Sequence, residues 1–131
     1  MIVFLHFHYA DKSLISRLVY AYQLLIGDRF PRITHVSLEV EGVNFHRYHG
    51  TTEMNKHTGD IIFMVMAESE TAYMFRRKRL EYLRDHGELS LFNSTYNCTD
   101  FVQYLLDEEP LYCTPSQLLA KYLDELPTDD D

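Results

Sequence analysis

The stretch Tyr96-Asn97-Cys98-Thr99-Asp100-Phe101-Val102-Gln103-Tyr104-Leu105-Leu106 reads as the start of an amphipathic helix with a cysteine in its first turn. Phe101, Val102 and Leu105 lie three, four and seven positions beyond Cys98 and therefore share its helix face. Asn97 fits an N-cap and Asp100 a first-turn acid. A thiol in that place feels the positive end of the helix, which favours the thiolate. The competing reading is structural: a cysteine on the apolar face of a helix is also a small core residue.

Outward from that helix, the chain of 131 residues is the size of one domain. An apolar fraction of 46%, with ten Tyr and eight Phe, suffices for one core. Residues 1–126 are expected to form that domain and residues 127–131 an acidic, disordered tail carrying Asp129, Asp130 and Asp131. The net charge of −8 argues against a general nucleic-acid binder. No run of about 18 apolar residues exists to span a membrane. Met1 to Tyr9 is apolar but lacks a basic start and a small-residue cleavage site, so no export signal is expected there. The two cysteines, Cys98 and Cys113, are then expected as free thiols in a reducing cytoplasm.

Taken in order, Ile2 to His8 predicts a strand with His6 and His8 on one face. Asp11 or Ser13 caps a helix of about four turns, in which Leu14, Ile15, Leu18, Val19, Tyr22, Leu25 and Ile26 recur at helical spacing before Gly27. Ile33 to Glu41 alternates as a half-buried strand, Gly42 turns the chain, and Val43 to Tyr48 returns as the second strand of a hairpin. His49 to Asp60 reads as a polar loop, and Ile61 to Ala67, continuously apolar, as a central buried strand. A helix from Ser69 to about His86, ended by Gly87, carries Arg76, Arg77, Lys78, Arg79 and Arg84. Leu89 to Tyr96 reads as extended or loop-like, and Pro110 ends the cysteine helix. Thr114-Pro115-Ser116-Gln117 is a capping box with Pro at the first helical position, opening a last helix to about Leu126. The pattern is α+β, with a small antiparallel sheet packed against helices.

A cysteine nucleophile needs a base, a group that orients the base, and donors for the oxyanion. Of the seven histidines, His35 is the natural base, because its strand holds it rigidly on the face of Ser37 and Glu39, toward water or a cleft. A hairpin turning at Gly42 brings His46 near Ser37, close enough to accept the Nδ1 proton of His35 and fix its tautomer. His49 competes with His46 for this third place but falls on the other strand face if the strand persists. His6 and His8 could join His46 or His49 around a metal, although no tight His/Cys spacing motif is present. Cys113 lies in a Pro-bounded turn without a base and reads as an incidental thiol. The Arg76-Arg77-Lys78-Arg79 run reads as a solvated face pairing with Glu70, Glu81 and Asp85, or as an anion site or docking face for an acidic protein partner.

Thr34-His35-Val36-Ser37-Leu38-Glu39-Val40 with Gly42 and His46, followed about sixty residues later by Asn97-Cys98-Thr99-Asp100-Phe101-Val102, resembles the circularly permuted papain-like cysteine hydrolases, related to NlpC-type peptidases and lecithin:retinol acyltransferase-like enzymes. The helix of Ser13 to Leu18 and the closing Thr114 helix are similar to bacterial and phage members. The resemblance implies a permuted papain-like fold, Cys98 as nucleophile, His35 as base and His46 as the orienting residue. It further implies a thioester acyl-enzyme on an amide, ester or thioester substrate, an oxyanion hole using the Cys98 N–H with Tyr96 beside it, no cofactor, and a cytoplasmic location, that of the host if phage-encoded. Gly87 to Asn93 lacks the Gly-x-Pro-Tyr-like turn of many relatives. The rival expectation is a catalytically inactive papain-like fold that serves as a protein-interaction module.

Overall fold

A computed structural model describes residues 1–47, 51–54, 59–68, 71–86, 94–108 and 113–126. The elements run β1 (Ile2–Tyr9), α1 (Leu14–Leu25), β2 (Ile33–Val40), β3 (Val43–Arg47), β4 (Thr51–Met54), β5 (Ile61–Met66), α2 (Ala72–His86), α3 (Ser94–Leu105) and α4 (Pro115–Asp124). The strands form one antiparallel sheet in the order β4-β3-β2-β1-β5, so the class is α+β. Glu41 and Gly42 make the β2–β3 turn with φ of 51° and 82°. Two successive left-handed residues match the twist of a two-residue hairpin and set Val40 opposite Val43 and Leu38 opposite Phe45.

Directly opposed residues of an antiparallel pair point to one face. Leu5 opposes Leu38 and Phe7 opposes Val36, and these side chains face the helices. Phe101, Val102 and Leu105 of α3, Leu118 and Leu119 of α4, and Phe75 and Tyr82 of α2 close the core against them. On the other face His6 opposes Ser37 and His8 opposes His35. Alternation therefore segregates the sheet into an apolar side and a histidine-bearing side.

Two helix starts match their sequence signals. The Ser13 side chain accepts from Ser16 N–H at the head of α1, which runs 12 residues. At α4 the Thr114 hydroxyl accepts from Gln117 N–H while the Gln117 side chain accepts from Thr114 N–H, with Pro115 in the first turn. Thr114 and Gln117 also donate to Asp28 at 2.7 and 3.1 Å, which ties α4 to the segment after α1.

Four expectations are corrected. Thr51–Met54 pairs with β3 as a strand where a loop was expected. Its polar composition hides it, because a short edge strand needs little apolar surface. Among the described residues Ile61–Met66 is an edge strand, not a central one: it pairs with β1, holds Ile61, Phe63 and Val65 inward, and exposes Ile62, Met64 and Met66. A continuous apolar run is compatible with either place, and pairing decides. The helix α2 begins at Ala72 rather than Ser69. Finally, α3 begins at Ser94, so Asn97 is its fourth residue and not its cap, and Asp100 lies beyond the first turn. The expectations for His49, for the Gly87 stop, for Leu89 to Asn93, for Pro110 and for the 127–131 tail fall outside the described residues.

Candidate active site

Strand β2 presents His35 and β3 presents His46, and the two rings meet: His35 Nε2 lies 3.1 Å from His46 Nδ1. The ring planes cross at 73°, with centroids 5.3 Å apart. The hairpin register accounts for this contact. The β2–β3 register reaches Leu38 and Phe45, and alternation from that pair puts both His35 and His46 on the face opposite to it. The expected pairing of His35 with His46 is present, but through Nε2 rather than the anticipated Nδ1.

Cys98, on α3, packs with Phe101, Val102 and Leu105 on the apolar side of the sheet, whereas alternation puts the His35 and His46 side chains on the histidine-bearing side. The Cys98 thiol is 3% exposed and packs with the core. Burial pushes it up from 9.0 to about 12, and backbone hydrogen bonds from Val36 and Thr99 pull the other way. A backbone group that lowers a thiol's pKa is an N–H donor. The sulfur therefore sits at the Val36 amide, the peptide unit that joins His35 to Val36. The helix-end argument does not survive this geometry. Cys98 is the fifth helical residue rather than a first-turn one, and desolvation outweighs the dipole. Its own N–H is a further backbone donor that lowers the thiol's pKa.

The histidine-bearing face extends beyond the expected pair. His8 Nε2 is 2.8 Å from Ser37 Oγ, and the His8 ring lies 5.3 Å from that of His35. His6 accepts at Nδ1 from Gly59 N–H at 2.8 Å. Its Nε2 must then carry the proton, donated to Glu39 Oε1 at 3.0 Å. His6, His8 and His46 are all buried. Gly59 is required there, because a Cβ at that position would fall 2.6 Å from His6 Cβ. The period-two spacing of His6 and His8 was visible in sequence. Their place next to His35 follows only from β1–β2 pairing.

Other candidates do not converge on this place. Among the described residues no group of three or more His, Cys, Asp or Glu is arranged to hold a metal ion. Cys113 is a free thiol pushed up by burial, and its carbonyl accepts from Thr99 Oγ1 at 2.6 Å, a structural setting. Within the basic helix, Lys78 pairs with Asp107 and donates to the Leu105 carbonyl at the end of α3, and Arg77 pairs with Glu81 at 3.3 Å. A cation at a helix C-terminus is favourable in itself, so part of the run is used internally. Among the described residues no helix is long and apolar enough to cross a membrane. Comparison of the chain with protein-family models, with curated proteins and with solved structures finds no match.

Proposed function

We propose that the protein is a small cysteine hydrolase or acyltransferase of permuted papain-like architecture, acting on an amide, ester or thioester through Cys98, His35 and His46. The reading rests on the 3.1 Å contact of His35 Nε2 with His46 Nδ1; Cys98 packs on the apolar side of the sheet, so the proton transfer requires its sulfur to reach the histidine-bearing side. For His35 to act as base, its Nε2 carries the proton and donates to His46 Nδ1, leaving Nδ1 of His35 as the acceptor. The resting state is a thiol, since burial raises Cys98. The thiol proton passes to His35 as sulfur bonds to the carbonyl carbon, and His35 then protonates the departing amine, alcohol or thiol. Water, or an acceptor in the transferase case, cleaves the thioester with His35 again as base. The cytoplasm is the setting in which two unpaired thiols of this kind persist.

A second reading has its own support. A cysteine 3% exposed with its thiol pushed up to about 12 is what a retired nucleophile in an interaction module would look like. Acyl trapping separates the two. The protein is mixed with a 4-nitrophenyl acyl ester and examined by intact and peptide mass spectrometry. The enzyme reading expects a hydroxylamine-labile adduct on Cys98, absent in Cys98→Ala and formed about a hundredfold more slowly in His35→Ala. An adduct only on Cys113, or unchanged rates in His35→Ala, would leave the interaction reading standing.

A further inference from the structure

The residues that lead into β5 are fastened to β1 through a histidine. Gly59 N–H donates to His6 Nδ1 at 2.8 Å, Asp60 N–H donates to the Phe7 carbonyl at 2.8 Å, and the Asp60 carboxylate accepts from Tyr9 N–H at 2.9 Å. A backbone amide can only donate, so His6 Nδ1 presents a lone pair and the ring is the neutral Nε2–H tautomer. That Nε2–H donates to Glu39 Oε1 at 3.0 Å, and His6 is buried. The two partners make opposite demands on a second proton. Gly59 needs Nδ1 bare, whereas the Glu39 carboxylate pairs better with a charged imidazolium. Gly59 also lies against the stem of the ring, where a Cβ would fall 2.6 Å from His6 Cβ and 3.0 Å from His6 Cα.

We propose that His6 is a proton-operated clasp, which holds Gly59 on the histidine-bearing face when neutral and releases it when protonated. A proton added at Nδ1 sets two N–H groups against each other at the Gly59 contact, while the bond from Nε2 to Glu39 becomes an ion pair. One event therefore breaks one bond and strengthens another, so the two states are distinct. Among the described residues, the groups that face His6 are few. Glu39 of β2 meets the ring, and Ser37 of β2, which does not titrate, stands opposite on the strand. His8 of β1 stacks on it at 6.2 Å, the apolar Ile62 of β5 stands opposite on that side, and Asp60 follows Gly59. The two carboxylates favour a charged His6, and a charged His8 opposes it. His8 in turn lies 5.3 Å from His35, so the clasp closes one end of the histidine row and the His35–His46 contact the other. Releasing Gly59 leaves β5 in place, because Ile61 to Met66 stay paired with β1 and Asp60 keeps the Phe7 carbonyl. What opens is the approach to His6 and His8. The clasp does not depend on the chemistry assigned to Cys98.

NMR of the full chain, titrated from about pH 8 to about pH 4.5, tests the proposal. At the alkaline end the ring-nitrogen chemical shifts of His6 should report the Nε2–H tautomer. As His6 protonates, the hydrogen-exchange protection of the Gly59 amide, corrected for the intrinsic rate, should fall at least about tenfold with the same midpoint. Leu5, in the middle of β1, should keep its protection through that transition. Glu39→Gln removes the counter-charge and should lower the midpoint by at least about half a pH unit. Asp60→Asn should leave the release of Gly59 tied to His6. An Nδ1–H tautomer at the alkaline end overturns the proposal, as does a His6 that stays neutral throughout or protonates with Gly59 still protected. A release that vanishes in Asp60→Asn assigns it to that carboxylate instead. Loss of protection at Leu5 together with Gly59 means acid unfolding of the sheet and also overturns the clasp.

Discussion

Raising the pH tests the state of Cys98, because a buried thiol and a thiolate respond with opposite signs. Burial lifts the folded thiol from 9.0 to about 12, whereas the unfolded chain titrates near the ordinary value. Between those values the unfolded chain binds fewer protons than the folded one, so stability falls as pH rises. A pKa difference of one corresponds to about 1.4 kcal/mol, so the whole window is worth about 4 kcal/mol and the part reached by about pH 10.5 is worth about 2 kcal/mol. Cys113, Tyr104 and Tyr122 are raised too and act in the same direction. The informative quantity is therefore the difference between the wild type and Cys98→Ala. Urea unfolding at about pH 8 and about pH 10.5 should show the wild type losing about 2 kcal/mol more than the variant. Equal losses would refute the buried-thiol account. A Cys98 contribution that instead declines as pH falls below neutrality would mean a thiolate held by an imidazolium, and the proton-transfer step proposed above would be wrong.

Gly59→Ala should lower the urea-unfolding free energy by about 1–3 kcal/mol, since the new methyl meets the His6 Cβ and main chain rather than a flexible side-chain end. Phe101→Ala removes a fully buried ring packed 5.1 Å from Tyr82 and should cost about 3–5 kcal/mol by the same measurement. Gln23→Leu leaves the Ser116 N–H and the Ile33 carbonyl without their partner and should cost about 1–3 kcal/mol, with a loss of amide-exchange protection at Ser116. His46→Ala should slow Cys98 acylation at least about tenfold and shift its pH profile, while His46→Asn, which can still accept from His35, recovers part of the rate.

Several features were legible because they depend on neighbours in the chain. The capping box at Thr114, the cap at Ser13, the Gly42 turn and the alternation of Val36, Leu38 and Val40 each rest on local backbone chemistry or on period-two spacing. The meeting of His35 with His46 was legible for the same reason, since a two-residue turn fixes the register of a hairpin. The shared face of Cys98, Phe101, Val102 and Leu105 followed from helical spacing, and all four are buried.

What depends on distant partners was decided by the tertiary structure. Among the described residues the run of Ile61 to Met66 is an edge because β1 alone pairs with it, a choice that composition does not encode. Helix α1 has clear apolar periodicity, yet Gln23 is drawn inward by the carbonyls of Pro31 and Ile33 and the amide of Ser116, and the leucines are left outside. The four histidines of β1, β2 and β3 share one sheet face through pairing between segments up to forty residues apart. Most consequentially, the sequence located Cys98 on the inner face of a helix, but the character of its thiol turned on where that helix begins and how deeply it is buried. Starting at Ser94 and packing against Val36 removes the sulfur from both the helix end and the solvent, so desolvation rather than the dipole sets its proton.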